Sequence, residues 1–337
     1  MPLDSYWCRM KVQARDYKNE LTIAGLIVII FCVSPLLTPV FLSGTNLLNL
    51  LRQTSYTAIA AIGMYFVILT GGIDLSIGAT IQIIGMVAIS MLVNGCSVAV
   101  TLITVLAIGL LIGLVNGSLV TIGRLQPFIV TLVTKRIMEG TVLTITDGAS
   151  ISGDVPQAFM QIGTGYIGIF PIPVIVLFVV AIVAFVLMHR TTYGRRLYVT
   201  GSNGLAAYYS GTNVRWMRLS AYVLCALCAT VSGVLSVARI GAFQPTTTHG
   251  GATGMEMDAI AAVVVGGGAL SGGKGTVIGA ILGALLYGML SNLFPLIGVN
   301  SYYQQLIQGL IILVAVIISA RNSGRKRVNK TKEVTIK

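Results

Sequence analysis

Two long stretches of this chain are almost free of charge. From Gln53 to Gly123 the one Asp, Glu, Lys, Arg or His is Asp74, and from Gly275 to Ala320 there is none. An ionisable group at the centre of a bilayer costs several kcal/mol, so runs of this kind suit hydrocarbon. A soluble domain carries about 25% charged residues. This chain of 337 residues carries 9%, and 55% of it is hydrophobic. The fold class that follows is an all-α polytopic membrane protein. The net charge of +12 is unevenly spread, so it does not argue for nucleic acid.

Ten spans are expected: Leu21–Leu42, Tyr56–Leu69, Ala79–Val93, Val98–Ile122, Pro127–Ile145, Tyr166–Met188, Leu219–Ala238, Met257–Val265, Val277–Leu296 and Tyr302–Ala320. Several fall short of the roughly 20 residues that a straight crossing needs. With glycines interrupting them, some are expected to be broken or re-entrant, as transporters tolerate where backbone lines a protein-walled cavity. The first span fits an uncleaved membrane helix better than a leader, because Ser34-Pro35-Leu36-Leu37-Thr38-Pro39 is a poor cleavage site. Residues 1–20 then form an N-terminal tail, 21–320 the membrane domain and 321–337 a basic C-terminal tail.

Orientation follows from the basic residues. With ten crossings and an internal N-terminus, four Lys and Arg of that terminus, Arg124, the arginines of the central loop, Lys274 and seven of the C-terminal tail all fall inside. Both termini are then cytoplasmic. Arg52, Lys135, Arg136 and Arg239 are the exceptions.

The central loop, 189–218, is the longest polar interruption. It holds Arg190, Arg195, Arg196, Arg215 and Arg218 and no acid. A short helix is expected over Gly204–Ser210, with Gly201, Ser202 and Asn203 as cap and turn residues and Gly211 as the stop. A basic loop carrying a small helix suggests a docking surface on the cytoplasmic side. An internal echo also appears at an offset of 201: Ala58–Ala61 matches Ala259–Ala262, Gly71-Gly72 matches Gly272-Gly273, and Ile77–Ala79 matches Ile278–Ala280.

Other motifs have plain readings. Gly268 to Thr276 nearly spells a phosphate-binding loop, but Gly275 stands where the hydroxyl after the lysine is needed. A glycine turn between membrane helices, with Lys274 at the inner surface, is expected instead. Asp74 reads as a capping acid or as a pathway residue. Glu256 and Asp258 read as first-turn acids of a helix or as part of an outer vestibule. Cys225 and Cys228 read as packing, Asn116-Gly117-Ser118 lies inside a span, and Gly109, Gly113, Gly117, Gly279, Gly283 and Gly288 permit close helix approach. Tyr302, Tyr303, Gln304 and Gln305 read as interfacial anchors. His189 and His249 lie in separate loops, and the sequence offers no paired carboxylates, metal-ligand spacing or nucleophile elbow.

Several stretches in order carry a resemblance: Gly71–Gly78, Asn116-Gly117 with Pro127–Ile129, Val237–Arg239 with Gln244-Pro245, Glu256–Ala262, Gly272–Gly275 and Gly298–Tyr303. Together they resemble the membrane permease subunits of bacterial ATP-binding-cassette importers for monosaccharides, of the ribose and methyl-galactoside type. The resemblance runs from about Asn46 to Ala320. It implies a permease of a bacterial cytoplasmic (inner) membrane that is not itself an enzyme and binds no cofactor, ATP and Mg being held by partner subunits. The implied partners are a second permease chain, two cytoplasmic ATP-binding subunits and an extracytoplasmic sugar-binding protein, besides membrane lipid. The ATPase-coupling stretch falls on Asn203, Gly204, Leu205, Ala206, Ala207, Ser210 and Gly211, inside the loop reached from charge and capping. Asp74, Ser76, Gln244, Glu256 and Asp258 are the candidates for lining or gating the pathway.

Two departures stand out. The related loop has an acid just before its Ala-Ala pair, where this chain has Leu205. Lys135 and Arg136 stand where relatives carry small or apolar residues, and could meet an anionic substrate or pair with Glu139. The alternative is an ion-coupled secondary transporter of a small polar solute, for which Asp74 and the Lys135–Glu139 cluster would be the charged groups.

Overall fold

The computed structural model describes residues 18–245 and 254–300, and positions 303, 304, 306, 307, 309, 310, 313 and 317 of the last apolar stretch, which are helical. Residues 1–17 of the expected N-terminal tail, the C-terminal tail, His249 and most of the tenth span lie outside the described residues, while residues 18–20 of that N-terminal tail already belong to the first helix. The described elements are α1 (Lys18–Leu37), a 3-10 turn (Pro39–Leu42), α2 (Gly44–Leu69), α3 (Ile77–Val93), α4 (Val98–Thr121), α5 (Pro127–Thr146), β1 (Ile151–Ser152), α6 (Gln157–Thr164), β2 (Tyr166–Ile167), β3 (Phe170–Pro171), α7 (Ile172–Arg190), α8 (Thr192–Ser202), α9 (Gly204–Tyr209), α10 (Val214–Ile240), β4 (Ala242–Phe243), α11 (Met255–Val265) and α12 (Val277–Leu296). Five of the helices are long and apolar enough to cross a membrane: α1 from Glu20 on, α4, α7, α10 and α12. This is an all-α polytopic membrane protein.

Local sequence sets the helix starts. The Ser43, Ser97 and Thr276 side chains accept backbone N–H bonds from Asn46, Val100 and Gly279, capping α2, α4 and α12. Pro127 opens α5, where its missing N–H is no loss. The second span begins at Gly44 rather than Tyr56, because the Ser43 cap starts the helix ahead of the apolar run. The sixth begins at Ile172, since Tyr166–Pro171 forms a two-strand hairpin. The first is interrupted after Leu37 by the Pro39 turn.

The core is built around α2. Its residues from Thr54 to Leu69 are buried on every face, and α10, α11, α12 and α7 pack around them. By contrast only 22% of the apolar window of α4 and of α7 is buried, against 67% in α10, so α4 and α7 offer their free faces to lipid. The glycines of α4 permit its approach to α10: a Cβ at Gly113 would stand 2.7 Å from the Val223 Cα, and one at Gly117 3.0 Å from the Leu219 carbonyl oxygen. Gly63 of α2 serves the same purpose beneath Cys225 and Cys228 of α10, its Cβ position lying 2.8 Å from the Cys228 Cβ.

The bundle has two distinct ends. One carries α8, α9, the α4–α5 turn and the turns that precede α3 and α12. The other carries α6 and the β1–β4 pair, which joins Ile151 to Phe243. Helix α11 has 11 residues, about 16 Å at 1.5 Å per residue. It therefore rises from the first end only about half-way, as a broken helix of the kind expected.

Candidate functional site

The basic end is organised on α9. Asn203 caps it, its side-chain oxygen accepting from the N–H groups of Leu205 and Ala206 at 3.1 Å each. Ser210 closes it and Gly211 turns the chain at φ +76°. The expected helix is thus present, one residue shorter. Gly201 and Ser202, expected in the turn, belong instead to α8, a helix within the stretch that the sequence predicts as loop. On α9 Ala207 is fully buried and anchors the helix, while Leu205, Tyr208 and Tyr209 project at 72%, 67% and 84% exposure. Trp216 lies exposed nearby. An open basin of about 1100 Å³ lies against this helix, lined by Asn203, Leu205, Tyr208, Arg215 and Arg218 among others.

Helix α8 ties this surface to the core. The Tyr198 hydroxyl lies 2.7 Å from that of Tyr65 in α2 and donates to the Gly275 carbonyl at 2.8 Å. Tyr193 bonds Ser220 of α10 at 2.8 Å; burial, above all, holds its phenol pKa above the ordinary value. Gly201 packs backbone to backbone, since a Cβ there would overlap the Leu69 carbonyl oxygen and stand 2.7 Å from the Gly273 nitrogen. The Gly273 N–H in turn donates to the same Leu69 carbonyl at 2.8 Å. The two glycine turns of the internal echo therefore meet each other and α8 at one point. Gly71 and Gly272 adopt matching φ values of +80° and +83°, and a Cβ at Gly272 would lie 2.9 Å from the Gly71 nitrogen. A helix, α11, precedes the Gly266–Gly275 turn where a phosphate-binding loop requires a strand.

Asp74 and Ser76 are brought together in the first of these turns. The Ser76 N–H and hydroxyl both donate to Asp74 Oδ1, at 2.9 and 2.5 Å. The Asn116 amide donates to Ser76 Oγ at 2.9 Å, and the Thr134 hydroxyl stands 2.8 Å from Asn116 Oδ1. Asp74, Ser76 and Asn116 are buried, so this chain of polar groups fastens the turn to α4 and α5. Ser76, not Asp74, is the residue that precedes the first turn of α3, and its side chain makes no cap bond. Asp74 instead holds the turn leading into that helix.

Glu256 and Asp258 occupy the first turn of α11, as expected. Glu256 is buried and receives an ion pair and hydrogen bond from Lys135 of α5, which also stands 3.7 Å from Glu139. Arg136 bonds Glu139 at 3.1 Å. Asp258 accepts from the Tyr287 hydroxyl of α12 at 2.6 Å. The two acids therefore link the broken helix to α5 and α12 near half depth. Gln244 follows β4 at the opposite end and is half-buried. Among the other basic exceptions, Arg52 bonds the Thr164 carbonyl at 2.9 Å and lies 4.5 Å from the Tyr166 ring centroid.

Residues 46–316 match a family described as the permease component of a branched-chain amino acid transport system. The chain belongs to this permease family. It is 40% identical to the ribose import permease protein of Escherichia coli (strain K12) over 304 residues, covering 89% of this chain and 93% of the relative. It is also 40% identical to the ribose import permease protein of Bacillus subtilis (strain 168), over 89% of this chain and 92% of the relative. The D-allose transport system permease protein of Escherichia coli (strain K12) is 34% identical over 90% of this chain and 91% of that protein. No solved structure matches.

As a permease, this chain puts its polar groups where a multi-pass membrane protein can keep them. Lys135 and Arg136 are paired with Glu139 and Glu256, Asp74 and Asp258 are bonded by hydroxyls, and Tyr208, Tyr209 and Trp216 stand exposed at the basic end. The Tyr198 and Gly201 contacts escaped the sequence reading, which placed both residues in a loop. The Lys135–Glu256 pair escaped it too, because its partners lie 121 positions apart. Charge balance was the available signal: one apolar segment carries Lys135, Arg136 and Glu139 and the other Glu256 and Asp258, an excess of opposite sign that favours a pairing.

Proposed function

We propose that this permease is the membrane subunit of an ATP-binding-cassette importer that carries a monosaccharide or sugar-like solute inward by alternating access. The observation that carries the reading is α9, whose one buried anchor, Ala207, holds a helix with Leu205, Tyr208 and Tyr209 turned outward. Such a surface needs an apolar partner groove, and a cytoplasmic ATPase subunit supplies it. The relatives named for ribose and D-allose support a sugar as cargo. The distribution of Lys and Arg supports a bacterial inner-membrane location with both termini, α8 and α9 cytoplasmic.

Movement of α9 by a partner would pass through α8. Tyr198 and Gly201 bear on Leu69, Gly273 and Gly275, so a shift of α8 would displace both glycine turns together and with them the starts of α3 and α12. The working assembly has two permease chains, two ATPase subunits that hold ATP and Mg, and an external sugar-binding protein. Asp74, Ser76, Glu256 and Asp258 act in holding or gating the helices. Ion coupling has weaker support, because Asp74 is engaged by Ser76 and Lys135 by Glu256 and Glu139.

The test is solute uptake and ATP hydrolysis in proteoliposomes containing the chain, its copurifying ATPase and the binding protein, over a panel of small sugars. Uptake that needs ATP and one loaded binding protein is expected. Uptake by the chain alone, abolished by dissipating an ion gradient, would sink the proposal.

A further inference from the structure

A second cavity, of about 450 Å³, opens at the basic end between the Gly71-Gly72 turn, the α4–α5 turn and the start of α10. Its lining includes Arg124, Arg215 and Arg218, with Thr121 and Gln126, and no carboxylate. All three arginines are exposed, and three guanidinium groups around one concavity give it a positive potential that attracts anions. The inner wall holds a further polar group without a counterpart. Tyr222 is 1% exposed, and its hydroxyl has no hydrogen-bond partner among the described residues. That hydroxyl faces Gly72, where a Cβ would stand 2.6 Å from it. Tyr222 belongs to the cavity lining, and a buried phenol left unbonded carries a cost that an acceptor reaching it past Gly72 would relieve. Arg124 is also held at φ +54°, a left-handed backbone unusual for its type, so the turn is fixed with this side chain beside the cavity.

We propose that this cavity binds a phosphoryl-bearing anion. Arginine forks match phosphate oxygens in pairs, and hydroxyl and amide groups such as those of Thr121, Gln126 and Tyr222 complete its bonding. The surroundings bring one source of phosphate within reach: Ile122, Leu125, Phe128 and Ile129 beside the α4–α5 turn are 51–70% exposed apolar groups, suited to acyl chains. An anionic phospholipid headgroup and a soluble phosphate ester both satisfy the chemistry. The proposal stands without the transport reading, since it is tested on the full-length chain by itself.

The experiment uses native mass spectrometry of the purified chain in mixed micelles containing phosphatidylglycerol or phosphatidylcholine. Calorimetric titration with inorganic phosphate and ribose 5-phosphate runs in parallel. Retention of one phosphatidylglycerol per chain, with none of phosphatidylcholine, supports a lipid source; saturable binding of the soluble phosphates supports the other. In either arm the Arg124→Gln/Arg218→Gln double variant is expected to bind about ten-fold more weakly, the loss of charge-assisted contacts. An Arg190→Gln/Arg196→Gln double variant, which removes equal charge elsewhere in the same basic segment, is expected to bind as the wild type does. Tyr222→Phe removes one oxygen and leaves the ring, and is expected to weaken binding about three-fold, unchanged binding counting against the site. That variant decides the matter if the arginine variant fails to fold. Equal weakening in the control pair would show diffuse attraction and overturn the site. Absence of binding by every probe would overturn it too, as would loss of ATPase copurification in the arginine variant without phosphate binding by the wild type, which would make the cavity a socket for a partner protein.

Discussion

The hydroxyls of Tyr198 and Tyr65 stand 2.7 Å apart, joining α8 to the central helix α2. The direction of the bonds follows from proton count. Tyr198 spends its proton on the Gly275 carbonyl, so Tyr65 donates to Tyr198. Tyr198→Phe removes both bonds and leaves the buried Tyr65 hydroxyl without this acceptor, a loss of about 1–3 kcal/mol. The expected outcome is a several-fold fall in solute carried per ATP hydrolysed, with hydrolysis itself retained. Tyr65→Phe keeps the bond to Gly275 and should be milder. The paired measurement of uptake and hydrolysis in proteoliposomes checks this; equal falls in both rates would count against a relay through Tyr198.

Gly201 permits the close contact of α8 with Leu69 and Gly273. Its substitution by alanine forces a methyl group onto the Leu69 carbonyl. Overpacking of this kind costs about 1–3 kcal/mol and displaces backbone. Gly201→Ala is expected to lower the thermal midpoint in detergent by several degrees, whereas Gly204→Ala, whose Cβ would meet nothing closer than 3.7 Å, is expected to leave it nearly unchanged. Fluorescence-detected thermal unfolding of both variants makes the comparison.

Asn203 is the cap of α9, bonded to two N–H groups. Asn203→Ala should cost about 1 kcal/mol of local helix stability, close to a five-fold weaker association wherever the helix must be formed to dock. Asn203→Asp keeps the acceptor and should retain association. Copurification of the ATPase with each variant provides the measurement. Unchanged recovery with the alanine variant would mean that α9 does not need its own cap to dock.

The sequence made some of this legible for a definite reason. Spans such as Val277–Leu296 are marked by a long charge-free apolar run within the segment, and the structure places that helix on the same residues, with Thr276 as its cap. The short helix at Gly204 was legible because Asn203 and Gly211 punctuate it. Residues 192–202 were not, because TYGRRLYVTGS is polar and holds two glycines; its helix draws on tertiary contacts of Leu197, Thr200 and Gly201 with the core. The glycine echo at Gly71 and Gly272 was visible as a repeat, but that the two turns touch was not, since nothing local encodes a contact across two hundred residues. The same limit hid the partner of Lys135.

That partner gives the last prediction. Lys135 and Glu256 have side-chain exposures of 18% and 3%, and they join α5 to the first turn of α11. Breaking a buried pair by removing one member costs about 3–5 kcal/mol, because the other is left buried and charged, whereas replacing both with neutral groups of similar size is often nearly neutral. Lys135→Met and Glu256→Gln should each reduce yield of folded protein and lower the thermal midpoint. The effects should not be symmetrical: Glu139 stands 3.7 Å from Lys135 and remains beside it when Glu256 is neutralised, whereas Glu256 has no other ion-pair partner among the described residues. Lys135→Met is therefore expected to be the more damaging change, and adding Glu256→Gln to it should restore most of the loss. A double-mutant cycle on thermal midpoint reads the coupling directly. Strict additivity would mean that the pair is not maintained in the membrane, and that α11 is held instead by its contact with Tyr287.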